Sequence, residues 1–245
     1  MRINILTYNV HGLPWARDHI QSICNFLLEK MPPVICLQEV FLDRSRAFYK
    51  DFLEYLGYTV LLPRDDNVTL LPSGLVTAFK KSDFVVLSDC FCCYQDVHNV
   101  EWFANKGFHT VRVIHRASRR ILSVVNTHTQ SDTEVSWIFG RRIISEIRKK
   151  QAMQMYKFLS VLKEPILITG DLNCEEEPYE GLRFLHPPGC RPLKKRTFYS
   201  TGEDLDHIVA LTDRPLPHVI ACRIYDRPWS DHAPVLFSVQ IPNHL

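Results

Sequence analysis

The 245-residue chain has almost no net charge: 29 Lys and Arg against 27 Asp and Glu leave +2 with neutral histidines. A balance this even argues against gripping duplex nucleic acid by overall positive field, though not against a local basic groove. Long apolar runs are missing too. Nothing approaches the ~18 consecutive apolar residues of a membrane-spanning helix. The opening MRINILTYNVHG carries one arginine, and Asn4 and Asn9 interrupt its apolar run, so no export signal is expected. No internal repeat, low-complexity tract or flexible linker breaks the chain, and one domain is expected over 1–245. Paired cysteine motifs are also lacking. The chain has 8 cysteines, but CFCC at 90–93 has no matching second pair for zinc. With no export signal, and with Cys36 inside the apolar run VICL, reduced thiols and an intracellular address, cytoplasmic or peripheral to a membrane, are expected.

What is present is an ordinary globular composition, 46% hydrophobic and 23% charged, with length enough for a substantial core. Apolar periodicity predicts strands at 3–8, 34–38, 58–62, 74–80, 84–94, 108–115, 120–127, 165–170, 206–211, 219–225 and 233–241. It predicts helices over 16–31, from an N-cap at Asp43 to Gly57, and over 134–162. Helices separated by blocks of several strands suggest two packed sheets with helices outside them.

Polar residues recur where these strands stop. INILTY ends in Asn9, VICLQ in Glu39, ILSVVNT in His128, and ILITG in Asp171 with Asn173 after it; Asp206 and Asp231-His232 each precede an apolar strand. Strand ends are rim positions, held by a rigid core but open to solvent. Converging rims would collect four carboxylates: Glu39, Asp171, Asp206 and Asp231. Such a group raises its own pKa values unless a cation neutralises it. Oxygen donors without cysteine suit Mg²⁺, with Mn²⁺ as a substitute. That chemistry suits attack of water on a phosphate ester. Each motif alone could be a solvated strand end, a cap or an Asn/Asp turn; six in consistent order are harder to ascribe to chance.

The segments TYNVHG, LQEV, NTHTQSD, GDLN, LDHI and SDHAPV resemble the endonuclease/exonuclease/phosphatase superfamily, in the family's order and over residues 7–235. The resemblance implies a four-layered α/β/β/α sandwich of two mostly antiparallel sheets flanked by helices, with Mg²⁺-dependent hydrolysis of phosphate esters. It implies Glu39 as main metal ligand, Asn9 beside it and Asp231 at the metal's edge. Asp171 would orient or deprotonate water, Asn173 and His128 would donate to the phosphate, and His232 would be general acid/base or phosphate partner, its tautomer held by Asp206. Asp171 and His232 both stay open as the base. One departure is His207, where the family has an aromatic after the Asp; a structural role is expected.

NVHGLPW, SGLVTAFKKSD and EWFANKGFHTVRV are further similar to neutral sphingomyelinases, implying a lipid-borne phosphodiester and a monomer with peripheral membrane contact. Trp15, Trp102 and Trp229 lie in or beside motif loops, where tryptophan can enter a membrane interface, stack on a base, or simply pack. Lys106 is either a phosphate partner or an exposed lysine. The basic run RRIISEIRKK reads as a solvated helix face. A nuclease or tyrosyl-DNA phosphodiesterase of the same fold is the alternative substrate class, and a catalytically silent scaffold or binding protein is the alternative of another kind.

Overall fold

The computed structural model describes residues 1–13, 19–64, 69–132, 141–187 and 197–242. In chain order the elements are β1 (Arg2–Gly12), α1 (Ile20–Lys30), β2 (Val34–Val40), α2 (Asp43–Tyr55), β3 (Tyr58–Leu61), β4 (Val76–Lys80), β5 (Phe84–Cys93), a 3₁₀ turn (Asn99–Phe103), β6 (Gly107–His115), β7 (Arg120–His128), α3 (Arg141–Leu159), β8 (Ile166–Asp171), β9 (Leu182–Phe184), β10 (Asp206–Leu211), β11 (His218–Ile224) and β12 (Val235–Gln240).

The strands form two six-stranded sheets, ordered β11-β12-β1-β2-β4-β3 and β5-β6-β7-β8-β10-β9. In each sheet the central pair, β1-β2 or β7-β8, is parallel, and every other pairing is antiparallel. Outward from that pair the order is 1-2-4-3 in one sheet and 7-8-10-9 in the other, so one topology occurs twice. No such repeat shows in the sequence, because it is a repeat of connections and not of residues. Met1 and Ile241 exchange backbone hydrogen bonds of 2.7 and 3.0 Å where β1 lies beside β12.

Alternation along each strand sorts the core into layers. Ile3 and Ile5 of β1, Val34 and Cys36 of β2, Leu122 and Val124 of β7, Leu167 of β8 and Ile208 of β10 meet between the sheets. The neighbours Leu6, Tyr8, Ile35 and Leu37 face α1 and α2, through Phe26, Leu27, Tyr49 and Leu53. Val125, Ile168 and Val209 face α3, through Ala152, Met155 and Leu159. Strands buried on both faces read as continuous apolar runs such as VICL and PILITG. The result is the four-layered sandwich.

Most boundaries agree with periodicity to within a few residues. The 3₁₀ turn and the three-residue β9 are too short to show a period. Asp43 does not cap α2; Leu42 holds that position, and Asp43 lies in the first turn, where its charge complements the helix dipole. The expected beginnings of the first and third helices, at 16–18 and 134–140, lie outside the described residues, as do Trp15 and Cys190. Among the described residues no two cysteines are joined to each other. No helix among the described residues is long and apolar enough to cross a membrane.

Ile5 is fully buried between the sheets, whereas Tyr55 on α2 is 88% exposed. Ile5→Ala should cost about 2–5 kcal/mol in urea unfolding. Tyr55→Ala should change it by less than about 0.5 kcal/mol. Similar values for the two would refute the layer assignment.

Candidate active site

At one end of the inter-sheet layer the inward rows turn polar. β1 continues Ile3, Ile5 with Thr7 and Asn9; β2 continues Cys36 with Gln38; β7 continues Val124 with Asn126 and His128; β8 continues Leu167 with Thr169 and Asp171; β10 begins with Asp206. The same alternation that fills the core therefore aims these side chains into one cleft. Glu39 breaks the rule, since its parity would face the helices. Its backbone is left-handed at φ +60°, beside a register irregularity between Asn9 and Gly12. That twist brings the carboxylate back to the cleft. A polar clamp lies beneath: Gln38 Nε2 donates to Asn126 Oδ1 at 2.8 Å, and Asn126 Nδ2 donates to Leu37 and Val76 carbonyls, both at 3.1 Å. It ties β7 to the other sheet directly below Glu39 and His128. Gly170 has φ +149°, and a Cβ there would stand 1.9 Å from the Thr127 carbonyl oxygen. Only glycine lets β8 approach β7 so closely before Asp171.

Asn9 links the sheets. Its Nδ2 donates to Glu39 Oε1 and to Asp171 Oδ2, each at 3.0 Å. His232 Nδ1 lies 2.8 Å from Asp206 Oδ2, and its Nε2 lies 3.5 Å from Asp171 Oδ2. Since a carboxylate can only accept, Nδ1 carries a proton. Burial opposes a charged His232, but the carboxylates of Asp206 and Asp171 outweigh it and push the pKa up to about 10. Burial raises Asp171 and Glu39 above the usual carboxylate range. Asn173 accompanies Asp171: its backbone N–H donates to Asp171 Oδ1 at 3.0 Å, and its φ is +50°.

Asp206 stands behind His232 and is not part of the cleft lining, where Glu39, Asp171 and Asp231 lie. Within that lining His11 Nδ1 is 2.9 Å from Asp231 Oδ2. Burial works against a charged Asp231, but the His11 hydrogen bond and the His232 charge prevail and hold it below its ordinary range. The Asp231 contact also raises His11. Among the described residues no three His, Cys, Asp or Glu side chains form a metal-holding group. Mg²⁺ seldom uses such a cage; it takes one or two carboxylates and fills its other positions with water or phosphate. Glu39 suits it, because Oε2 is buried without a hydrogen-bond partner, and the oxygens of Asn9 and Asp231 are hard donors. The residues present fit the cation.

Lys106, expected at a phosphate, is buried and committed. Its Nζ donates to Glu101 Oε1 at 2.6 Å, to the Thr129 carbonyl at 2.8 Å and to His128 Nε2 at 3.1 Å. A buried ammonium must use its protons in this way. His128 Nε2 is thereby an acceptor, and burial, aided by the Lys106 charge, drives its pKa well down. Donation to a phosphate would have to come from elsewhere on the ring. His11, Gln38, Asn126 and Glu101 lie inside TYNVHG, LQEV, NTHTQSD and EWFANKGFHTVRV, but no role is expected of them there; their place in those motifs is the only signal. His207 is structural: Nε2 meets the Cys174 and Asp204 carbonyls at 2.9 and 2.8 Å, and the ring stacks on Phe184.

The cleft's outer rim carries many acids, including Asp132, Glu146, Glu175, Glu176, Glu177 and Glu203, against Arg148 and Lys149. Trp102 is 71% exposed, with its indole N–H on the Val97 carbonyl, and stands outside the cleft lining, where Phe103 and Leu70 lie instead, 53% and 78% exposed. Trp229 packs edge-on against Phe26 and under Arg227, which is the packing role.

In sequence, the chain matches none of the curated proteins significantly. Among solved structures, a beta-toxin variant from Staphylococcus aureus with bound magnesium ions is similar at TM-score 0.76 and 16% identity, over 98% of this chain and 100% of that one. TDP2 of D. rerio with single-strand DNA product gives 0.75 and 16%, over 98% and 99%. Sphingomyelinase C from Streptomyces griseocarneus gives 0.74 and 19%, over 97% and 99%. Such likeness establishes the shared fold. Residues 6–232 also match the pattern of the Endonuclease/Exonuclease/phosphatase family, so the chain belongs to that family.

Proposed function

We propose that the chain is a metal-dependent phosphodiesterase that directs water at a lipid-borne phosphodiester. The observation that carries the chemistry is the line Asp206–His232–Asp171–Asn9–Glu39, which joins a carboxylate-held imidazole to a site fit for a cation. Glu39 would hold Mg²⁺, with Asn9 and Asp231 beside it, and Mn²⁺ would substitute. When bound, the cation supplies positive charge against the phosphoryl oxygens. Asp171, in contact with Asn9 and His232, orients the water and takes its proton. His232 offers Nε2–H to the phosphate or to the leaving oxygen. Asn173 donates to the phosphate, and Lys106 supplies buried positive charge from behind His128.

Two observations support a lipid over nucleic acid. The acidic rim repels a polyanion but tolerates a zwitterionic head group. The exposed Leu70, Trp102 and Phe103 form one unit, since Leu71 N–H donates to the Phe103 carbonyl at 2.8 Å and Asn105 N–H to the Leu71 carbonyl at 3.2 Å. Such a patch beside the cleft suits a membrane interface. The likeness to TDP2 with its DNA product favours the alternative, a nuclease or tyrosyl-DNA phosphodiesterase.

The protein should cleave bis-p-nitrophenyl phosphate with Mg²⁺ or Mn²⁺ and stop on chelation. Glu39→Gln, Asp171→Asn and His232→Ala should each cut turnover by about 10²-fold or more without unfolding. Equal turnover with and without chelator would remove the metal reading. Side by side, head-group release from sphingomyelin vesicles should exceed cleavage of single-stranded DNA, and Trp102→Ala with Phe103→Ala should weaken only the vesicle reaction. The reverse preference would select the nuclease; failure of every substrate would leave the scaffold reading. In metal-free protein followed by NMR, His232 should stay protonated beyond pH 8 and titrate at least about one unit lower in Asp206→Asn. An unshifted titration would remove Asp206 as its partner.

A further inference from the structure

The end of the sandwich opposite the cleft is basic. The β4–β5 turn supplies Lys80 and Lys81, the β6–β7 turn supplies Arg116, Arg119 and Arg120, and β1 begins there with Arg2. These segments touch. Arg116 N–H donates to the Asp83 carbonyl at 2.8 Å and Arg116 Nε to the Lys81 carbonyl at 2.7 Å. Ser118 Oγ lies 3.2 Å from Met1 Sδ, and an Arg120 guanidinium nitrogen donates to the Pro242 carbonyl at 2.6 Å. Among the described residues none of the six cations joins an ion pair. Two guanidiniums are instead held by backbone carbonyls, which orients them without neutralising them. Arg2, Lys81, Arg116 and Arg119 are exposed. Asp83 is the acid within the two turns, and nearby Glu164 is already paired with Arg112 at 2.6 Å.

We propose that this end docks the phosphate backbone of a nucleic acid, apart from the cleft. The chemistry selects that occupant. The β6–β7 tip between the arginines is Ala117-Ser118, with no exposed aromatic to anchor a protein partner or enter a bilayer. Backbone phosphates need only oriented cations. A membrane under the cleft could not reach this end, because β7 carries Arg120 here and His128 in the cleft. Its nine residues span roughly 26 Å at ~3.3 Å per residue. The choice against the bilayer rests on the lipid reading of the cleft; the charge geometry does not. The near-neutral total conceals this end because the cleft rim holds the compensating acids.

The probe is a fluorescein-labelled single-stranded 20-mer, followed by anisotropy with the metal-free full chain. Binding should weaken steeply with salt. The triple variant Lys81→Ala, Arg116→Ala, Arg119→Ala should bind at least tenfold more weakly at 50 mM salt. Its log affinity against log salt should be about two units shallower, at ~0.7 per lost phosphate contact. Turnover of bis-p-nitrophenyl phosphate should be unchanged in that variant, whereas Glu39→Gln should retain oligonucleotide binding. Wild-type protein that ignores the oligonucleotide, a triple variant that binds it as well as wild type does, or retention only on anionic vesicles would each overturn the proposal. Loss of turnover in the wild type would count against the cleft reading alone, since anisotropy needs no catalysis.

Discussion

The Asn9 carboxamide holds together what the two sheets bring separately. Glu39 belongs to one sheet and Asp171 to the other, and both accept from the same nitrogen. Two carboxylates drawn into a buried space repel each other and lose hydration. The shared amide and the nearby His232 offset part of that cost, and a cation would offset more. The sheet spacing that makes this possible comes from the apolar layer on one side and the Gln38–Asn126 clamp beneath. The site is thus the polar termination of the core, and its geometry inherits the rigidity of the packing.

Much of this was legible in the sequence because strands are periodic. A residue that ends an inward-facing row must appear at the end of that layer, so Asn9, His128, Asp171 and Asp206 could be named from alternation and order. Glu39 could be named too, but not how it gets there: the left-handed backbone that reverses its side has no periodic signature. Lys106 shows the opposite limit. An isolated lysine reads as exposed or phosphate-seeking, and its burial depends on Glu101, five residues earlier, in a turn too short to anticipate. That Asp206 meets His232 followed from the family resemblance, whereas the His11 partner of Asp231 had no signal, because side-chain pairing depends on rotamers and not on strand order.

Five described residues other than glycine have positive φ, and three of them, His11, Glu39 and Asn173, adjoin the cleft. Conformations of this kind cost on the order of 1–3 kcal/mol each. They persist because neighbouring strands leave the chain no alternative. The clustering also explains why smooth periodicity fades at the functional positions.

The clasp between Met1 and Ile241 marks where the sandwich closes. β1 and its neighbour β12 are the first and last strands of the sandwich in chain order, and Asp231 and His232 immediately precede β12. Until β12 arrives, β1 presents an open edge able to pair with another chain. The pairing spans nearly the whole sequence, which makes the final closure slow. Pairing of β12 therefore joins two events in one step: the sheet loses its adhesive edge, and the histidine of the site reaches its aspartates.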